Sequence, residues 1–170
     1  MKCAVIYSSN TGNTKYLAEA LKEQLGKQCI FLGDVKEEME IGEADLIFVG
    51  FWTDKGGCQE KMTQFLQNLR GKKVFLFGTA GFGQSQTYFD KIVSHVAEYL
   101  DASNTVVGSW MCQGRMPMAV RTRYEGMKKT DPQKAMQMIE NFDRAMDHPN
   151  LEDRKGLVDK AMETVKQITQ

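Results

Sequence analysis

Apolar residues recur along this chain in two alternating rhythms. Short, nearly continuous apolar runs stand at Cys3-Ala4-Val5-Ile6-Tyr7, Cys29-Ile30-Phe31-Leu32, Asp45 to Phe51, Val74-Phe75-Leu76-Phe77 and Thr105 to Met111. Between them, apolar positions are spaced three and four apart: Leu17, Ala18, Leu21 and Leu25; Met62, Phe65, Leu66 and Leu69; Phe89, Ile92, Val93, Val96, Ala97 and Leu100. The first rhythm predicts strands buried on both faces, and the second predicts amphipathic helices. Gly26 and Gly71 stand where the first two helices should stop. Residues 34–43 are acidic and weakly patterned, so only a short helix or a loop is expected there. Strand and helix alternate five times with short connections, the pattern of an α/β fold with a parallel, doubly wound sheet. Right-handed crossovers leave few topologies for it.

The segment from 113 to 170 is longer than the about 15–20 residues that one closing helix needs. Three helical pieces are predicted in it. The first runs from Pro117 to Met127. The second starts at Asp131-Pro132, with Asp as cap and Pro at the first position, and shows Ala135, Met138, Ile139, Phe142 and Ala145 on one face. The third is capped by Asn150, with Leu157, Val158, Ala161, Met162, Val165 and Ile168 on its face. The third is the helix expected to pack on the sheet. Residues 113–149 then form a helical insertion within a single domain spanning 1–170.

Three loops follow strands and should share the carboxyl edge of the sheet, where such folds bind ligands. The first is Ser8-Ser9-Asn10-Thr11-Gly12-Asn13-Thr14, between a strand and a helix. Helix-initial amides and the helix dipole favour an anion there, and Ser9, Thr11 and Thr14 add hydroxyls. The loop is neither GxGxxG nor a Walker loop, and Lys15 lacks the Walker spacing. A hydroxyl- and amide-rich turn with no required cation suits a single phosphate monoester. The competing reading is an ordinary helix cap. The second loop, Phe51 to Gly57, contains Trp52, a flat apolar surface, and Gly56-Gly57, which tolerate either sign of φ. The third, Gly78-Thr79-Ala80-Gly81-Phe82-Gly83, is glycine-rich enough for backbone amides to reach a ligand edge.

Composition narrows the function classes. The chain has 170 residues, 42% of them hydrophobic, and formal net charge zero. Residues 1–112 carry 11 Lys and Arg against 13 Asp and Glu, and residues 113–170 carry 11 against 9. That asymmetry is too small to suggest nucleic acid. No signal peptide and no run of membrane-spanning length is visible, and the four cysteines show no CxxC spacing. A cytoplasmic protein with reduced thiols is expected. His95 and His148 are isolated and read as solvent-facing, and no metal cluster or Ser-His-Asp arrangement is recognisable. Cys58 reads as a redox thiol or, equally, as a small apolar residue at a helix start. Between 113 and 130, Arg115, Arg121 and Arg123 interleave with Met116, Met118 and Met127. This suits a docking surface or lid formed by Arg115, Met116, Met118, Arg121 and Arg123, or a solvated helix over the ligand edge.

Ser9-Asn10-Thr11-Gly12-Asn13-Thr14 resembles the Ser/Thr-x-Thr-Gly-x-Thr phosphate loop of flavodoxins, directly after the first strand. The order of elements over residues 1–112 is similar too. A closer resemblance, through Gly50-Phe51-Trp52-Thr53-Asp54-Lys55-Gly56, Phe77 to Gly83 and Met111-Cys112-Gln113-Gly114, is to a subgroup of flavodoxin-like proteins. That subgroup is associated with bilirubin reductase in anaerobic gut bacteria. The resemblance implies a flavodoxin-like five-stranded sheet in the order 2-1-3-4-5, with helices on both faces. It implies FMN, with the phosphate on Ser9, Asn10, Thr11, Gly12, Asn13 and Thr14. Trp52, Thr53, Asp54, Lys55, Gly56 and Gly57 would flank the isoalloxazine, as would Thr79, Ala80, Gly81, Phe82 and Gly83. In flavodoxins a peptide flip in the second loop stabilises the one-electron-reduced flavin. Two features depart from the usual pattern. The third loop holds Phe82 where flavodoxins place a Tyr, and the next Tyr, Tyr88, falls where a helix should have begun. The pI near 6.7 is far from the strongly acidic flavodoxin range.

The resemblance implies an electron-transfer flavoprotein serving a partner reductase, such as a bilirubin or other tetrapyrrole reductase. Two alternatives share the fold: an NAD(P)H-dependent quinone or flavin reductase, and an accessory subunit with a weak or empty flavin site.

Overall fold

The computed structural model describes residues 1–36, 39–83 and 85–170. Five parallel strands form one sheet: β1 (Cys3–Tyr7), β2 (Cys29–Asp34), β3 (Leu46–Trp52), β4 (Lys73–Ala80) and β5 (Thr105–Gln113). Their order is β2-β1-β3-β4-β5, so the chain reverses direction across the sheet between β1 and β3. The helices are α1 (Asn13–Leu25), α2 (Glu60–Asn68), α3 (Gln86–Ala97), α4 (Met118–Met127), α5 (Pro132–Ala145) and α6 (Leu151–Thr169). Gly26 ends α1 with φ 53°. No described residue between Val35 and Asp45 is helical, and Glu37 and Glu38 of the expected acidic helix or loop lie outside the described residues.

The strands alternate in what they bury, which explains their continuous apolar runs. Cys3, Val5, Leu46, Phe48, Phe75 and Phe77 face α1 and α6. Ala4, Ile6, Ile47, Val49, Phe51, Val74 and Leu76 face α2 and α3. Each fully buried Leu, Ile or Phe in these layers contributes about 1.5–3 kcal/mol. The last helix, α6, lies on the sheet beside α1, as its apolar face predicts, with Leu157 and Ala161 fully buried. Its start is a capping box: Asn150 accepts from the Asp153 amide while the Asp153 carboxylate accepts from the Asn150 amide.

Four strands run further than the sequence suggests: β2 reaches Asp34 and β5 reaches Gln113, and the extensions of β4 and β3 move the site loops. Gly78-Thr79-Ala80 continues β4, so the third loop begins at Gly81. Glycine looks like a turn there, but it serves a close approach: a Cβ at Gly78 would stand 2.8 Å from the Phe51 ring. Trp52 likewise closes β3, which moves the start of the second loop to Thr53.

α4 and α5 pack on each other away from the sheet, around Tyr124, Ile139 and Phe142, with Met116, Val120, Met127 and Met138 filling in. Asp131 caps α5 by accepting from the Lys134 amide, with Pro132 following. The excursion is clasped where it leaves and returns: the Arg115 N–H donates to the His148 carbonyl at 2.9 Å. His148 is not the isolated solvent-facing residue its sequence context suggests. Its Nδ1 lies 2.7 Å from the Asp153 carboxylate, so the α6 cap fixes it. Among the described residues no helix is long and apolar enough to cross a membrane.

Candidate flavin site

At the carboxyl ends of β1, β3 and β4 the three predicted loops meet around one cavity of about 500 Å³. Its first edge is the turn before α1. Gly12 caps that helix with φ 89°. Asn10, Thr11 and Asn13 line the cavity, and Gly12 lines a neighbouring cavity of about 380 Å³ that shares Thr11 and Asn13. Ser9 and Thr14 line neither. The Ser9 Oγ accepts from the amides of Gly12 (3.1 Å) and Lys15 (3.3 Å), which is the helix-capping role. Thr14 is fully buried, with its Oγ1 3.3 Å from the Thr79 Oγ1. The first-turn amides of Asn13 and Thr14 have no intrahelical acceptor and give this edge its affinity for anions.

The second edge carries Trp52, Thr53, Asp54, Lys55 and Gly56. Thr53 is pinned to β4, donating to the Thr79 carbonyl through both its amide (2.8 Å) and its hydroxyl (2.9 Å). A tight turn follows, with Asp54 and Gly57 exchanging amide–carbonyl bonds at 3.1 and 2.9 Å. Positive φ falls on Lys55 (50°) and Gly56 (78°), not on Gly57, which is buried and outside the cavity. Gly56 is therefore the residue free to rotate its peptide, while Lys55 holds a left-handed conformation that costs a non-glycine residue about 1–2 kcal/mol.

The third edge is Thr79, Ala80, Gly81 and Phe82. Phe82 is 40% exposed at the rim. Gly83 does not line the cavity. Tyr88 does, from the first turn of α3, whose cap, Ser85, accepts its amide at 3.2 Å. A tyrosine absent from the loop thus reaches the cavity from the helix, beside Phe82, and burial pushes the Tyr88 phenol up.

The insertion closes the remaining side with Gly114, Arg115, Met116, Pro117, Val120, Arg123 and Tyr124. It is tied to the other edges by side-chain amides, two of them buried. Gln113 Nε2 and Asn141 Nδ2 both donate to the Gly81 carbonyl at 2.9 Å, and Asn13 Nδ2 donates to the Arg115 carbonyl at 2.9 Å. Of the proposed docking residues, Arg115, Met116 and Arg123 face the cavity. Met118 is 60% exposed and outside it. Arg121 is engaged elsewhere, paired with Asp143 and Glu125 and lying 5.8 Å over the Phe142 ring. Tyr88, Gly114, Pro117, Val120 and Tyr124 line the cavity without being expected there from the sequence. Tyr124 lies within the predicted Pro117–Met127 helix, and its 3% exposure in a small separate core shows its place.

Cys58 sits two residues before α2, half-buried, with Sγ 3.6 Å from the Thr63 hydroxyl. Burial pushes its thiol up, opposite to what an attacking thiolate needs. Among the described residues no group of His, Cys, Asp and Glu could hold a metal ion.

These residues fit a flavin mononucleotide. The volume lies within the about 300–1,000 Å³ of small-molecule sites. Helix-initial amides, Thr11 and Arg115 suit a phosphate. Trp52, Phe82 and Tyr88 suit a flat ring system, and the backbone of 79–81 suits a polar ring edge.

The flavodoxin domain family matches residues 4–162. The chain belongs to that family. It is 38% identical over 169 residues to the flavodoxin-like domain-containing protein BilS of Clostridium symbiosum, covering 88% of each chain. It is 32% identical over 156 residues, again 88% of each, to the BilS protein of Clostridioides difficile. Among solved structures it resembles oxidised flavodoxin 2 of Bacillus cereus, with TM-score 0.58 and 17% identity over 98% of this chain and 99% of that one. A flavoprotein in complex with FMN from Lactobacillus acidophilus matches with TM-score 0.53 and 21% identity, over 65% of this chain and 93% of that one.

Proposed function

We propose that this protein binds FMN in the cavity at the sheet edge and delivers electrons to a partner reductase. One observation carries this reading: in a chain of the flavodoxin family, the phosphate turn, the Trp52 turn and the Gly81 loop converge on one cavity. Bound FMN supplies one- and two-electron redox chemistry. The chain's own residues bind, orient and shield it. The turn before α1 anchors the phosphate. Trp52 and Tyr88 offer ring faces. Gly56 turns its peptide toward or away from the flavin edge, and Met116, Val120 and Tyr124 exclude water on the insertion side. No residue has to act as an acid or base.

On the resemblance to BilS proteins, the acceptor is a bilirubin or related tetrapyrrole reductase in the cytoplasm of an anaerobe. The rim of the insertion, with exposed Met118 beside the cavity-facing Arg115, Met116 and Arg123, is its docking surface. The deciding experiment is an FMN titration followed by anaerobic stopped-flow reduction. The expected result is a yellow complex with a Kd at or below about 1 μM, bleached slowly by NADPH alone and rapidly through a reductase. Protein that takes up no FMN at that concentration overturns the reading. Rapid bleaching by NADPH alone makes it a reductase in its own right.

A further inference from the structure

Arg115 brings a cation to the phosphate end of the cavity that the turn motif does not contain. We propose that Arg115 recognises the phosphate of the bound flavin nucleotide, so that the insertion as well as the turn before α1 selects the phosphorylated flavin. This rests on the FMN reading above.

Placement is the first argument. Arg115 lines both cavities that flank the turn, together with Thr11 and Asn13. Its backbone is held from both sides: the N–H donates to the His148 carbonyl (2.9 Å), and the carbonyl accepts from Asn13 Nδ2 (2.9 Å). Asn13 is the first residue of α1. The arginine is thus bonded through its main chain to the turn that would hold the phosphate, and its side chain extends from a fixed point.

The second argument is supply and demand of donors. Ser9 Oγ already takes the Gly12 and Lys15 amides, and the Thr14 hydroxyl is buried against the Thr79 hydroxyl at 3.3 Å, outside both cavities. Two amide donors that the turn would offer a phosphate are thus engaged within the protein. A doubly charged monoester at this edge needs others. Lys15 lines neither cavity.

The third is charge. Arg70, Arg121, Arg144 and Arg154 each face a carboxylate; Arg123 faces none among the described residues but lies outside the cavity beside the helix start. Among the described residues Arg115 has no such partner, although it is exposed and close to the helix start. A guanidinium presents a planar fork of donors that matches two phosphate oxygens, which an ammonium does not.

The test titrates FMN and riboflavin, which lacks the phosphate, against the wild type and Arg115→Gln, Arg115→Lys and Lys15→Gln. Loss of a charge-assisted pair should weaken FMN binding to Arg115→Gln by about 10- to 100-fold. Riboflavin binding should stay unchanged, Arg115→Lys should recover part of the loss, and Lys15→Gln should leave the FMN-to-riboflavin ratio near wild type. An equal fall for both flavins in Arg115→Gln, an unaltered ratio, or an equal effect of Lys15→Gln overturns the assignment and leaves FMN binding itself standing. Wild-type protein that binds neither flavin overturns both this inference and the proposed function.

Discussion

The two walls of the cavity are held up by different means. Behind Trp52, Thr79 and Ala80 stands the sheet, with Phe48, Phe51, Phe75 and Phe77 fully buried on its two faces. Behind Met116, Val120, Arg123 and Tyr124 stands a cluster centred on only three buried residues, Tyr124, Ile139 and Phe142, padded with methionines. The buried Asn141 amide, joined by half-buried Gln113 at the end of β5, ties that cluster to the Gly81 carbonyl. The first wall owes its position to the core that folds the molecule. The second owes it to local packing and a few polar contacts, so it can vary or yield without the fold failing. Geometry that must be constant belongs on the first wall, and recognition that must be particular to one system belongs on the second.

The sharpest way to break this contrast is a matched pair of truncations. Phe48→Ala should lower global stability by about 3–5 kcal/mol, read as a common shift of every unfolding probe. Phe142→Ala removes the same side chain from the smaller cluster and should cost about 3 kcal/mol, with lost amide-exchange protection confined to α4 and α5. If Phe142→Ala also strips protection from β3 and β4, the two walls form one unit and the comparison fails.

Asn141→Leu probes the tie alone. Asn141 is 2% exposed, and its loss leaves the Gln113 amide and the Gly81 carbonyl each one partner short. The expected cost is about 1–3 kcal/mol, with FMN and riboflavin affinities falling in step because a wall has loosened. Unchanged affinities in a destabilised variant would show that the insertion does not shape the flavin site.

The smallest effect expected concerns Cys58, below the first wall. Its thiol is raised by burial, so the reactive thiolate forms only above the usual thiol range. Alkylation at pH 8, followed by peptide mapping, should be slower than for a free thiol and rise with pH beyond it. Labelling at pH 8 as fast as a free thiol would restore the redox-thiol reading.

The first wall was largely legible in the sequence. Strands buried on both faces must be apolar at every position, so Val74 to Phe77 and Asp45 to Phe51 announce themselves. The errors there came from residues used for space. Gly78 admits the Phe51 ring within a strand, and it looks like a turn because sequence patterns register backbone freedom more readily than close approach. The second wall was legible only as helices. The face of α5 was readable from Ala135, Ile139 and Phe142, and its cap from Asp131-Pro132. Arg121 is turned to Asp143, and the Arg115 main chain is held by Asn13 and His148, all far away in sequence, and no local pattern encodes those contacts. The His148–Asp153 contact was invisible for a related reason: it joins the end of one element to the cap of the next.

The clasp between Arg115 and His148 also makes the excursion a cassette. Because its two ends are already neighbours, the length of residues 116–147 can vary at little cost to β5 and α6 as long as the Asn141 tie to Gln113 and Gly81 is kept. A closed loop charges little for extra length, about 0.6 kcal/mol per doubling. The sheet can thus act as a reusable chassis, with substitution of this one segment reshaping one wall of the cavity.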